Sequence, residues 1–361
     1  MRKRRNSTRA TQPKRRFFIL FYRAVRVQEC NMDAKITKER LSRMLSYDWL
    51  KIVGAAVAAI ILWTLVFTVS ATRITPSQQF TAISYFGNVS TINTKLSKSM
   101  TDAYSKDVFS YEVLEINEVD VGGNKEYGST LMETRMATSE GDVVFTSMLT
   151  AGDYGFDMDG ETVYDTYLQR LVRTYGYALM NLDPENEDGF FKRMERYVSH
   201  YYGGDYKTGT MDETTVRVDF MARIEKNKDK RFKKSAQIEQ GVKDEMERIE
   251  KYRDALVEFY GYLDSGLVKL EKTTVVDYED GGKVLREGVY SINLCPDREK
   301  MPNLKDTVAY IETVTNESGE KQELLCADNM NVALLTFKDV ESGFEYESLL
   351  YVNYLIRISK A

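Results

Sequence analysis

Histidine is almost missing from this 361-residue sequence: there is one, His200, too few for a zinc site of the usual ligands and a poor basis for a Ser-His-Asp triad. Cysteine is nearly as scarce. Cys30, Cys295 and Cys326 form no CxxC pair. Both tryptophans, Trp49 and Trp63, fall in or beside one apolar run, which leaves none elsewhere to stack on a sugar. There is no GxSxG elbow and no GxxxxGK[ST] phosphate loop. Carboxylates are plentiful enough for a glycosidase pair, but a solvated acidic surface has the same composition, so no enzyme and no cofactor is expected.

Charge is missing altogether from Ile52 to Thr72. The twenty residues IVGAAVAAIILWTLVFTVSA, Ile52–Ala71, match a hydrocarbon thickness of about 30 Å at ~1.5 Å per helical residue. Before them, residues 1–51 hold 15 Lys or Arg against 4 acids. After them, residues 73–361 hold 35 basic and 51 acidic residues, a net of −16. Positive charge gathered wholly before the span keeps the N-terminus in the cytoplasm and exports the rest. The expected organisation is a basic cytoplasmic tail (1–51), a transmembrane helix (52–71), a linker (72–79) and an extracellular domain (80–361) in the cell membrane. Trp49 serves as the interfacial anchor and Lys51 closes the basic side. A cleaved signal peptide is the rival reading, although the run is longer than an h-region of about 7–15 residues. Met32 opens a more ordinary sequence, MDAKITKERLSRML, so residues 1–31 are either a real tail or a mis-called extension. The basic tail is explained by topology, and no nucleic-acid partner is expected.

Beyond the linker, FTAISYF (Phe80–Phe86) reads as a strand, Thr91–Lys106 as a helix and FSYEVLEI (Phe109–Ile116) as a second strand. Tyr127–Thr138 gives another helix, stopped by Ser139, Glu140 and Gly141, and DVVFT (Asp142–Thr146) a buried parallel strand. Strand, helix, strand, helix, strand predicts a parallel sheet with right-handed crossovers. Helices are predicted over Tyr164–Leu182, Phe190–Tyr202 and, most clearly, Ser235–Leu263. A hairpin over Thr273–Tyr278 and Val284–Leu294, a strand at Val332–Phe337 and a closing helix at Glu347–Ile358 complete the reading.

With SYFGN (Ser84–Asn88), SYEVLEIN (Ser110–Asn117), LMETRMATSEGDVVFTS (Leu131–Ser147), GVYSINLCPD (Gly288–Asp297) and NMNVALLTF followed by SLLYVNYLI, the chain resembles the bacterial extracellular solute-binding proteins of ABC importers. That resemblance implies a periplasmic-binding-protein-like α/β fold of two lobes with mainly parallel sheets, here preceded by one transmembrane helix. It further implies capture of a small-molecule solute, with an ABC permease as partner. The alternative is a cell-envelope scaffold that kept the fold without ligand binding. Ligand in this geometry sits outside the carboxyl ends of the parallel strands. The candidates are therefore Tyr85, Gly87 and Asn88 after the first strand, Thr146 and Ser147 after the third, and Asp153 and Tyr154 in the loop AGDYGFDMDGE. The acids of that loop either hold calcium or form a solvated turn, and their spacing does not match an EF-hand.

In an oxidising exterior Cys295 and Cys326 are a candidate disulfide, closing a loop of about thirty residues for a gain of about 2–4 kcal/mol, or else unpaired buried thiols. The topology has a direct check. The full chain should sediment with membranes, and a C-terminal tag should react with a membrane-impermeant reagent on intact cells; a tag reached only after lysis rules out the outward orientation.

Overall fold

A computed structural model of the chain describes residues 49–70, 74–85, 108–121, 127–158, 161–279, 282–315, 318–338 and 342–360, with scattered positions in 37–48. The basic tail, Met32, Cys30, the helix expected over 91–106, and Gly87 and Asn88 lie outside them. Residues 1–72 and 73–361 form two separate units.

In the first unit, helix α1 (Trp49–Ser70) is uninterrupted. Its window Trp49–Thr68 has a mean hydropathy of 2.3 and no buried residue, and among the described residues it is the one helix long and apolar enough to cross a membrane. It begins three residues before the predicted span.

The second unit is mixed α/β around one six-stranded sheet. Its strands are β1 (Gln79–Ser84), β2 (Glu115–Asp120), β3 (Val143–Ser147), β7 (Gly282–Asn293), β6 (Lys269–Glu279) and β10 (Met330–Leu334), arranged β2-β1-β3-β10-β7-β6. β1 pairs in parallel with β2 and with β3. β10 runs antiparallel between β3 and β7, and β6 antiparallel to β7. Four strands thus point one way and two the other. Two hairpins stand apart from the sheet: β4 (Thr150–Met158) with β5 (Glu161–Thr166), and β8 (Tyr310–Thr315) with β9 (Lys321–Cys326).

Both faces of the central strands β1, β3 and β10 are covered, as their nearly unbroken burial requires. Phe80, Ala82, Val143, Phe145, Val332 and Leu334 face the larger core. Against them pack helices α4 (Phe190–Tyr201), α6 (Ser235–Asp264) and α7 (Glu347–Ser359). Alternate residues, Ile83, Val144 and Ala333, face a smaller core with Met132 and Met136 of α2 (Gly128–Ala137) and Leu168, Leu171 and Val172 of α3 (Tyr167–Tyr175). Helix α3 starts sharply because Thr166 caps it: the Gln169 amide donates to the Thr166 hydroxyl at 3.1 Å, and the Thr166 amide to the Gln169 side chain at 2.9 Å.

Several predicted boundaries move. The second strand starts at Glu115 rather than Phe109, because Tyr111 and Glu112 lie in a turn. Residues 150–166 form the β4–β5 hairpin, so Asp153 and Tyr154 belong to a strand and α3 begins at Tyr167 rather than Tyr164. Helix α5 (Glu213–Lys226) and the β8–β9 hairpin were not foreseen; their apolar residues follow no strong period. Gly141, at φ +138°, turns the chain into β3, and a Cβ there would lie 2.6 Å from a Leu335 methyl and 2.9 Å from an Ile83 methyl. Gly141→Ala should therefore cost about 1–3 kcal/mol in denaturant unfolding, whereas Gly319→Ala, with open space around it, should lose only its backbone preference, on the order of 1 kcal/mol.

Candidate functional site

Two polar assemblies are built into the second unit. The first lies at the carboxyl end of the parallel strands. Thr146 of β3 is the ladder partner of Asn331 of β10, which in turn partners Asn293 of β7. Tyr85 continues β1 into the same row, its amide donating to the Phe145 carbonyl at 2.8 Å. Sheet register thus brings Tyr85 and Thr146 together with two asparagines that sequence reasoning missed. Ser147 ends β3 and accepts from the Leu149 amide at 3.3 Å.

The asparagines are held by their surroundings. Ser291 donates to the Asn331 side-chain oxygen at 3.0 Å, and the Asn331 side-chain nitrogen to the Asn329 carbonyl at 2.8 Å. The Asn293 oxygen accepts from the Cys295 amide at 2.9 Å, and its nitrogen donates to Glu271 at 3.1 Å. The Thr146 hydroxyl, fully buried, has no hydrogen-bond partner. A buried hydroxyl of that kind calls for a water or a ligand group. The row is uncharged on β1, β3 and β10 and meets charge at its β6 end, where Lys269 is the ladder partner of Asn293 and Glu271 accepts from it, so it suits polar hydrogen-bonding chemistry.

The second assembly lies under helix α6, and it is ionic. The Glu245 carboxylate accepts from Arg223 at 2.6 Å, from Tyr111 at 2.7 Å and from Arg248 at 2.5 and 3.1 Å. Glu112 accepts from Arg223 at 2.8 Å and from Arg231 at 2.7 Å, and Arg231 also pairs with Asp229 at 2.7 Å. Arg248 continues to the Tyr197 hydroxyl at 2.9 Å, the Tyr252 hydroxyl at 3.2 Å and the Ser342 carbonyl at 3.0 Å. Tyr252 then donates to Glu347 at 2.7 Å, and Glu347 also takes the Ser110 amide at 3.0 Å and the Ser110 hydroxyl. Glu347 is the first residue of α7, where the helix dipole favours a negative charge.

Glu112, Glu245, Arg248 and Glu347 are all buried. Burial pushes the Glu245 carboxyl up, but the Arg248 and Arg223 guanidiniums outweigh it and hold its pKa below the ordinary glutamate value. For Tyr111, burial and the Glu245 carboxylate both act to raise the phenol well above its usual range. A cavity of about 290 Å³ opens beside this network, lined by Ser110, Tyr111, Val113, Leu114, Glu247 and Lys251 together with Arg248. Arg248 has all five N–H groups engaged within the protein, so it offers no donor to a guest. The network is therefore a clamp on the fold rather than a binding group.

Among the described residues no cluster of His, Cys, Asp and Glu could hold a metal ion. Gly87 and Asn88 lie outside the described residues, and Asp153 and Tyr154 sit in β4. Cys295 and Cys326 are free thiols, both buried. Comparison with known proteins finds no family model, no curated protein and no solved structure that matches the chain.

Replacing Arg248 with Met should cost about 3–5 kcal/mol, because the Glu245 charge would stay buried with one guanidinium fewer. The exposed pair Arg217–Glu239, broken by Arg217→Met, should cost about 0–1 kcal/mol. Glu245 also sets a pH dependence. Its folded pKa lies below its unfolded one, so its contribution is complete above the unfolded value and disappears as pH falls through the folded one. Urea midpoints measured through that acid range should fall more steeply in the native chain than in Glu245→Gln.

Proposed function

We propose that this chain is a single-pass membrane protein whose domain beyond residue 73 faces the cell exterior and binds a small polar solute, for delivery to an ABC permease. The observation that carries this reading is the polar row at the carboxyl end of the parallel strands, where Thr146, Asn331 and Asn293 are ladder neighbours and the Thr146 hydroxyl has no partner. The charge split around the apolar α1 supports the orientation. On this reading the six-stranded sheet belongs to one lobe, and a second lobe draws on the helices and hairpins outside it.

A second reading, an envelope scaffold that kept the fold without a ligand, is favoured by burial. Thr146 and Ser147 have no exposed surface and Tyr85 has 8%, so a solute reaches them only after the cover of that edge opens. The two readings part in one measurement. The purified full chain is heated with panels of sugars, polyols, amides, amino acids and short peptides. A solute at ~100 times its Kd should stabilise the native state by about 2–3 kcal/mol, and Thr146→Val should abolish that gain. No stabilisation by any panel, with recovery of envelope proteins but no permease in a membrane pull-down, replaces the first reading by the second.

A further inference from the structure

Residues 73–361 carry a net charge of −16, yet one short segment has the opposite sign. Residues 226–234, KNKDKRFKK, hold six basic residues and one acid, Asp229. They form the end of α5 and the loop into α6. Two side chains fasten this loop to the domain. Arg231 pairs with Glu112 and with Asp229, both at 2.7 Å, and its own amide donates to Asp229 at 2.9 Å. The Phe232 ring packs edge-on to Phe220 and Tyr111, with centroids 5.0 and 6.5 Å apart. Because Asp229 is engaged by Arg231, the lysines find no acid within the loop. Lys228, Lys230, Lys233 and Lys234 are exposed, and the ammonium groups of Lys228, Lys230 and Lys233 have no partner among the described residues.

The loop adjoins the point where the chain enters the domain. The turn at 110–114 touches both: the Leu114 amide donates to the Gln78 carbonyl at 2.8 Å, and the Glu112 carboxylate holds Arg231. Leu114, in the same turn, is half exposed. Gln78 immediately precedes β1 and lies eight residues beyond Ser70, where α1 ends. Eight residues span at most about 28 Å when fully extended. The surface of a bilayer crossed by α1 is therefore within reach of the loop.

We propose that the basic loop at 226–234 docks the domain on the anionic phospholipid headgroups of the membrane that α1 spans. This rests on the reading of α1 as a membrane anchor, and it holds whichever side of the membrane the domain faces. Clustered lysines beside an anchor are drawn to anionic lipid, whereas the acidic remainder of the domain is repelled by it. Opposite signs on one body select an orientation, with the loop toward the bilayer. The free ammonium groups meet headgroup phosphates as point charges and give up no contact within the protein to do so. Their attraction is screened over about 8 Å at physiological ionic strength and about 3 Å at 1 M salt, so the docking is reversible and salt-sensitive.

The test reconstitutes the full chain into vesicles of phosphatidylcholine, alone or mixed with phosphatidylglycerol. Outward-facing domains are acylated with a membrane-impermeant amine reagent and the modified lysines mapped by mass spectrometry. Lys228, Lys230 and Lys233 should react about fivefold more slowly in the mixed vesicles, the factor that one lysine at an anionic surface supplies. Salt at ~1 M should restore their rates. Lys305 and Lys321, exposed elsewhere, should react alike in both vesicles. Equal rates for the loop lysines overturn the docking, as does a slowing that Lys305 and Lys321 share. A chain that floats with neither vesicle removes the anchor reading by itself. That soluble chain is then mixed with the same vesicles, and loop lysines that react alike in both overturn the docking as well. The triple variant Lys228→Gln, Lys230→Gln, Lys233→Gln should melt with the native chain, because these side chains hold no protein partner. Energy transfer from a C-terminal fluorophore to headgroup-labelled lipid should respond to phosphatidylglycerol in the native chain and not in the variant. A response that survives in the variant assigns the docking to another surface and overturns the proposal.

Discussion

A carboxylate held among guanidiniums inside the larger unit ties together segments that no regular element joins. Glu245, on the long helix α6, takes hydrogen bonds from Arg223 of α5, Arg248 of its own helix and Tyr111 of the turn before β2. Two further carboxylates, Glu112 and Glu347, extend the contacts to the loop at Arg231 and to the first turn of α7. Arg248 and the carboxylates of Glu112, Glu245 and Glu347 have left water, and Arg223 and Arg231 are partly withdrawn from it, a desolvation cost that is offset only when every donor and acceptor is matched. Here the matching is nearly complete, and its geometric demands fix how α5, α6, α7 and the edge of the sheet sit together.

That constraint explains the division of labour in the fold. The clamp lies toward the start of β2, on the side of the sheet covered by α6 and α7. The polar row of Thr146, Asn331 and Asn293 lies at the other end of the strands. One end is saturated with internal partners, and the other holds a buried hydroxyl without one. Unsatisfied polarity is where a protein can still gain from a guest, which is why the binding proposal rests there and not on the cavity beside Arg248.

Much of the element order was legible because it is periodic. The helices at 128–137, 190–201, 235–264 and 347–359 and the strands at 79–84 and 143–147 stand close to their predicted bounds. The stretch at 150–166 misled because its many acids and glycines resemble a loop, while the pairing of Phe156 with Val163 and Asp157 with Thr162 makes a hairpin. Of the candidate ligand residues, Tyr85 and Thr146 were readable as strand ends. Asn331 and Asn293 were not, because only register shows that residues so far apart along the chain share one row.

The sequence by itself determined a helix apolar on every face, the opposite charges of the two segments flanking it, and the stripes that make α6 and the parallel strands. These are local patterns, and a chain of that composition has few ways to hide them from water. Tertiary structure alone decided that β10 enters the sheet antiparallel between β3 and β7, and that Glu245 and Arg248 lie inside rather than on a solvated face. Ser110 and Glu347 meet across 237 positions. A charged residue reads as exposed until its partner is known, and no local period records a partner that distant.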